Sequence, residues 1–101
     1  MALRLQPRRF PFPVSAIDVR ADWRQRGFSC HDFADPPGRQ WNDFVHATNE
    51  LVTVLEGRLR LMVAGEILEL APGDEAFIAR GELHSVHNIH SGHSRWLFGY
   101  D

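Results

Sequence analysis

The chain has 101 residues and a formal net charge of −2, with a sequence pI near 6.3. That length gives one domain. The 44% apolar content is that of a globular protein, and the near-neutral charge argues against nucleic acid as a partner.

All 11 basic residues are Arg, which we attribute mainly to a compositional bias of the source. Cys30 is the single cysteine, so no intrachain disulfide forms and a cytoplasmic location is expected. No apolar run approaches the ~20 residues of a membrane helix, so no membrane partner is expected. The opening MALRLQPRRFPFPV has basic residues without an apolar run behind them, and is not expected to be a secretory signal.

Residues 1–27 are expected to form an N-terminal arm and a short helix, and residues 28–101 a single β domain. Pro7, Pro11 and Pro13 exclude a regular helix from the first 14 residues. Phe10, Phe12 and Val14 alternate with the last two prolines. Two readings stand: an arm laid across the domain or a partner subunit, and a loose tail. Residues 15–27 predict a helix, with Ser15 as N-cap, Asp18 three residues on, Arg24 and Arg26 in the last turn, and Gly27 as the stop. Its apolar stripe is expected along Ile17 and Ala21, with Ala16, Val19 and Trp23 beside it.

From residue 28 the pattern changes to period two. Phe28–Phe33 predicts a strand, and Asp35–Pro36–Pro37–Gly38 a loop. Short apolar runs follow at Glu50–Leu55, Arg58–Val63, Ile67–Leu70, Ala76–Ala79, Leu83–Asn88 and Arg95–Tyr100. Turn residues separate them, among them Glu56–Gly57, Ala64–Gly65 and Pro72–Gly73–Asp74. Many short strands at close spacing predict an all-β sandwich or barrel.

His46, Glu50 and His84 are candidate metal ligands. Two imidazoles and a carboxylate form the facial donor set that leaves positions open on a divalent transition metal such as Fe, Mn, Zn or Ni. In a straight strand, residues four apart are about 13 Å from one another. His46 and Glu50 therefore converge only if Ala47–Thr48–Asn49 turns the chain, with His46 ending one strand and Glu50 opening the next. In Leu83–Asn88, the period of two places His84, Val86 and Asn88 on one face and Ser85 and His87 on the other. His84 is expected to point inward and His87 outward.

The segment His46-x-x-x-Glu50 through Gly57 resembles the latter part of the first cupin motif. Gly73 through Ala79-x-Gly81-x-x-His84-x-x-x-Asn88 resembles the second, and Val54–Leu55–Glu56–Gly57 and Pro72–Gly73–Asp74 fit the text between. The resemblance covers roughly residues 40–100 and implies a small single-domain cupin: a double-stranded β-helix, or jelly-roll barrel, with a metal or ligand site in its mouth. Two positions depart from the pattern. Phe44 stands where the family's first histidine would fall, which removes one of four usual ligands, and Ala79 replaces a proline. Asn42 and Asp43 are possible replacement donors, although neither occupies the matching position.

The inward face is expected to carry Val52, Val54 and Val86, with Trp41, Phe44, Phe77, Trp96 and Phe98 as aromatic candidates. Trp41, Phe44 and Trp96 are the candidate substrate-binding residues. The resemblance implies either a metal-dependent enzyme of dioxygenase, isomerase or lyase type, acting on a small organic acid or aromatic compound, or a non-catalytic small-molecule binding or sensor module without metal. His87, His90 and His93 are expected to be solvated loop and strand histidines. Cys30 and His31 are expected on opposite faces of a strand. Asp74–Glu75 and Glu66/Glu69 are expected to be solvated charges. A barrel this small, with open sheet edges and an apolar arm, is expected to associate as a homodimer.

Overall fold

The computed structural model describes residues 4–101. Nine strands and one helix are found among them. They are β1 (Leu5–Gln6), α1 (Ala16–Gln25), β2 (His31–Asp35), β3 (Gln40–Phe44), β4 (Glu50–Glu56), β5 (Leu59–Val63), β6 (Glu66–Leu70), β7 (Glu75–Ile78), β8 (His84–Asn88) and β9 (Ser94–Tyr100). The strands form two sheets, in the orders β1-β7-β4-β9-β2 and β3-β8-β5-β6. Neighbouring strands are antiparallel throughout.

The two sheets are joined by an apolar core that draws on both. Val52 and Val54 of β4 meet Leu59, Leu61 and Val63 of β5, with Val86 and Trp96 in the same cluster. These residues recur every second position because side chains alternate across a strand. β4 departs furthest from simple alternation: six of its seven residues are buried. Its other face carries Leu51 and Leu55, which pack in a second cluster with Val19, Trp23 and Leu97. A strand covered on both faces needs apolar residues at nearly every position. Truncating Leu51, 1% exposed, would cost on the order of 2–5 kcal/mol.

The helix forms as its caps predict. The Ser15 hydroxyl accepts from the Asp18 N–H at 3.2 Å, and Gly27 takes a φ of +86° just past the end. Its buried face differs from expectation. Val19 and Trp23 are buried, and Ile17 is 79% exposed. Both pairs have helical spacing, but only rotation onto Val19/Trp23 buries the large indole and gives its N–H a partner, Glu75, at 2.9 Å.

The arm, from Arg4 onward, lies on its own chain, and the part before Arg4 is outside the described residues. β1 pairs with β7, and Phe10 packs beneath α1. The Phe10 N–H donates to the Gly73 carbonyl at 3.1 Å. Gly73 has a φ of +91°, and a Cβ there would run into the Phe10 carbonyl, so glycine both makes the turn and admits the arm. Phe12 remains 74% exposed.

Four further expectations are corrected. The first long strand begins at His31, not Phe28. Phe77 packs in the helix-side cluster rather than between the sheets, because it pairs with Leu51 on the outward face of β4. Asp74 and Glu75 are buried, not solvated. Asp74 accepts from the Ala71 and Arg8 N–H groups, and Glu75 from Trp23 and Arg26.

Candidate metal centre

His46, Glu50 and His84 come together at one end of the space between the sheets. Each offers a donor atom, and the three atoms lie within 4.8 Å of one another. Glu50 opens β4 and pairs with Tyr100 on one side and Ile78 on the other, so its side chain shares the inward face with Val52 and Val54. His46 lies two residues beyond β3, ahead of the turn that returns the chain to Glu50. That turn is tied down: Asn49 binds the Asp101 carboxylate through its backbone N–H at 3.0 Å and its amide at 2.8 Å. The Asn49 side-chain oxygen accepts from Arg80 N–H at 2.9 Å, and the His46 carbonyl accepts from Gly81 N–H at 2.9 Å.

His84 opens β8 and is buried, as is Val86 on the same face, while His87 turns outward to Asn42 at 2.7 Å. The His84 Nδ1 lies 3.0 Å from the Glu82 carbonyl. A carbonyl only accepts, so Nδ1 carries the proton and Nε2 is the lone-pair nitrogen of the neutral ring. Glu82 is itself clamped by both terminal nitrogens of Arg4 at 2.8 and 2.9 Å, which holds its carboxyl below the usual range through a charge-assisted pair. Sequence reading missed this support, because Arg4 and Glu82 are 78 positions apart.

Glu50 Oε1 stands 3.3 Å from His84 Nε2 and 3.5 Å from His46 Nε2. It is buried and has no hydrogen-bond partner among the described residues. A lone-pair nitrogen and a carboxylate oxygen facing each other require a cation between them, a proton or a metal ion. Donors held at about 2.0–2.2 Å on one tetrahedral ion stand roughly 3.4 Å apart, which matches both spacings. Without metal, burial opposes the His84 cation, but the Glu50 carboxylate and the Glu82 carbonyl together outweigh it and raise the pKa above 6.5.

A pocket of about 200 Å³ opens from this cluster. Its walls are the rings of Phe33, Trp41, Phe44, Trp96, Phe98 and Tyr100, with Val86 among them. The three expected substrate-binding residues, Trp41, Phe44 and Trp96, thus all line it. Phe33 stands edge-on to Trp41 at 5.7 Å and to Trp96 at 5.9 Å, bridging the free edges of β2 and β3. Phe44 lies beside both histidines, 6.1 Å from the His46 ring and 6.2 Å from the His84 ring. Asn42 and Asp43 do not join the cluster; Asn42 holds His87 and the Asp43 N–H donates to Ser85. His90 and His93 are exposed. Cys30 packs toward the helix, and His31 faces Phe98 and Tyr100 on the opposite side.

Sequence reading also missed Asp35. It is 1% exposed and accepts both pocket indoles, Trp41 Nε1 at 3.1 Å and Trp96 Nε1 at 3.0 Å. Its place before Pro36–Pro37–Gly38 suggested only a loop.

A family model described as a cupin domain matches residues 32–100. The chain belongs to the cupin family. Solved structures with the same fold are numerous. The TT1209 protein from Thermus thermophilus is 27% identical with a TM-score of 0.66, over 72% of this cupin and 71% of that chain. The polyketide cyclase RemF from Streptomyces resistomycificus is 28% identical with a TM-score of 0.64, over 72% of this cupin but 53% of that chain. An oxalate oxidase bound to the substrate analogue glycolate, 19% identical with a TM-score of 0.67, covers 74% of this cupin and 42% of that chain and shows the fold alone. No protein of curated function matches the sequence.

Proposed function

We propose that the two sheets close as a jelly-roll barrel and that this cupin holds one divalent transition metal, Fe, Mn, Zn or Ni, on His46, Glu50 and His84, acting on a small molecule in the aromatic pocket. The observation that carries this reading is the buried Glu50 Oε1, without a hydrogen bond and flanked by two imidazole nitrogens. When bound there, a divalent ion would supply Lewis acidity toward a substrate oxygen. Glu50 would offset the ion's charge. The Glu82 carbonyl would keep His84 Nε2 pointed at it. Phe44 offers no donor atom, so the chain would supply three ligands and leave room for a substrate oxygen. The likeness to a polyketide cyclase supports a small organic substrate.

Elemental analysis of untagged protein tests the proposal. About one ion per chain is expected, lost in the His46→Ala/Glu50→Ala/His84→Ala variant. Stoichiometric metal in that variant would place the site elsewhere.

A binding module without catalysis is the second reading, and one observation favours it. Beyond the three donors, the pocket wall carries one titratable side chain, Tyr100. Burial and the Glu50 charge both push its phenol up, so it is a poor base at neutral pH.

Two further features belong to the proposal. No described helix is long and apolar enough to cross a membrane, a single free cysteine suits a cytoplasmic location, and the net charge of −2 suits a partner other than nucleic acid. A homodimer is supported by the exposed Phe12 and by β6, which ends the four-stranded sheet. Sedimentation at tens of micromolar should give a dimer that weakens in Phe12→Ser, a substitution at an exposed position that leaves β1 and the buried Phe10 in place. A full-length monomer would rule the dimer out.

A further inference from the structure

The pocket is built unevenly, and the unevenness selects a ligand class. Among the described residues, the polar side chains that line the wall are His46, Glu50, His84 and Tyr100, besides the two indoles; the other lining side chains are Phe33, Phe44, Val86 and Phe98. Trp41 and Trp96 bring N–H donors to the same wall, but both are spent on Asp35. No arginine lines the pocket. Arg39 is stacked over the Trp41 ring at 4.7 Å and is not among the lining residues. A small dicarboxylate would therefore enter with at least one carboxylate facing carbon, where an unpaired charge is strongly disfavoured, and a hydroxy acid, with its one carboxylate at the donor end, would leave the carbon walls without a ring to cover. A flat aromatic ring would instead meet six aromatic side chains, two of them clamped in place by one buried carboxylate.

We infer that this pocket takes a small planar aromatic compound bearing a single phenolic or carbonyl oxygen directed at the His46/Glu50/His84 end, and that Asp35 is the positioning residue that fixes Trp41 and Trp96 as ring-stacking walls. The inference rests on the reading of this pocket as the ligand site, but not on the metal. About 200 Å³ is below the roughly 300–1,000 Å³ of drug-sized sites, which limits the ligand to one or two fused rings. The Asp35 side chain works by removal: with both indole N–H groups occupied, neither offers a polar contact to a wrongly oriented or charged ligand. Discrimination arises from carbon walls that reject charge as much as from rings that attract rings.

Calorimetric titration with phenol, cyclohexanol, glycolate and choline tests the class, using metal-loaded and metal-stripped protein. Cyclohexanol keeps the oxygen and loses the flat ring. Glycolate is a charged hydroxy acid. Choline asks whether the rings and Glu50 form a cage for a cation instead. Phenol is expected to bind about tenfold or more tightly than each of the others in both preparations, the scale of one or two favourable ring contacts. Glycolate or choline ranking first, or phenol and cyclohexanol binding alike, would overturn the inference. Protein that never holds metal but ranks phenol first would remove the metal reading and leave the slot intact. Metal-loaded protein that ranks glycolate first would do the reverse.

Two substitutions test the walls. Trp41→Leu should weaken phenol about three- to tenfold with metal content unchanged, and Trp41→Phe should restore most of it. Equal loss in both variants would show that the ring face is not what binds. Asp35→Asn removes one acceptor oxygen and should narrow the phenol-to-glycolate ratio several-fold. An unchanged ratio in a folded Asp35→Asn protein would strip Asp35 of its role. If that variant does not fold, the Trp41 pair still decides whether the rings bind.

Discussion

Two glutamates in neighbouring strands, Glu50 in β4 and Glu75 in β7, are each 4% exposed, yet they live in opposite circumstances. Glu75 lies on the helix side of the five-stranded sheet and is fully matched. Its Oε1 accepts from Trp23 Nε1 at 2.9 Å and pairs with Arg26, its Oε2 accepts from Arg26 Nη1 at 3.1 Å, and Arg9 lies at 3.6 Å. Asp22 ties the same two arginines together at 3.0 and 2.7 Å. Glu50 faces the other way, between the sheets. It has two imidazoles for company, no guanidinium, and one oxygen without a hydrogen bond. Burial alone therefore does not distinguish architecture from function. What distinguishes them is whether the buried charge has been answered by the chain itself.

The comparison breaks most sharply at Glu50. Glu50→Gln keeps the volume and removes the charge, so it should lower metal affinity about 100-fold or more, beyond the loss seen when only a ligand's supporting partner is removed. At a pH high enough for His84 to be neutral, the metal-free protein should be no less stable than before, because an imperfectly answered buried charge has been neutralised. Metal titration and thermal melts of the stripped variant check both halves. A variant that keeps full affinity would return Glu50 to the structural class.

Glu75 should behave in the opposite sense. Glu75→Ala leaves the Trp23 N–H buried without an acceptor and removes the shared anion of Arg9 and Arg26. Breaking a buried pair in this way costs about 3–5 kcal/mol, and we expect the lower end because Arg26 is one-third exposed and can rehydrate. For a domain of this size that is a fall in melting temperature of more than about 10 °C. Metal stoichiometry should not change. A loss below about 1 kcal/mol would mean that the helix is held by Val19 and Trp23 packing alone.

The sequence made one of these glutamates legible and hid the other, for physical reasons. Glu50 could be found because its partners are local or sit at motif spacing: His46 is four residues away, and His84 opens a strand whose period of two aims it inward. The strands from Glu50 to Tyr100 were legible through alternation, and Ser15 and Gly27 marked the helix. Glu75 was read as a solvated turn charge because its partners lie 49 and 52 residues away on α1, and nothing in a turn sequence announces a helix arriving above it. Asp35 was hidden in the same way, its indole partners being 6 and 61 residues distant. Phe77 and Ile17 were misplaced because apolar periodicity marks a buried face without saying which layer covers it. Local chemistry was readable; long-range satisfaction of buried polar groups was not.

The smallest effect, and the one that separates the two glutamates by titration, is in pH. His84 has a folded-state pKa raised above 6.5 by Glu50 and the Glu82 carbonyl, against the opposing effect of burial. Its protonated form therefore stabilises the metal-free fold. That contribution is complete below the unfolded value of about 6.5 and is lost as pH rises through the folded value. Metal must displace the same proton, so its apparent affinity should weaken by up to about tenfold per pH unit for each imidazole that has to lose one. Both trends shrink the rise in melting temperature that metal confers as pH falls from 8 to 6. The decline should begin at a higher pH than an ordinary imidazole, with its value of about 6.5, would give. In Glu50→Gln the main attraction raising His84 is gone, and the pH slope of the metal-free melting temperature should flatten. In Glu75→Ala it should persist, displaced to lower temperature throughout. A metal-conferred rise that stays constant between pH 8 and 6 in the parent protein would show that no imidazole yields its proton to the ion, and would leave Glu50 as a buried charge answered by His84 alone.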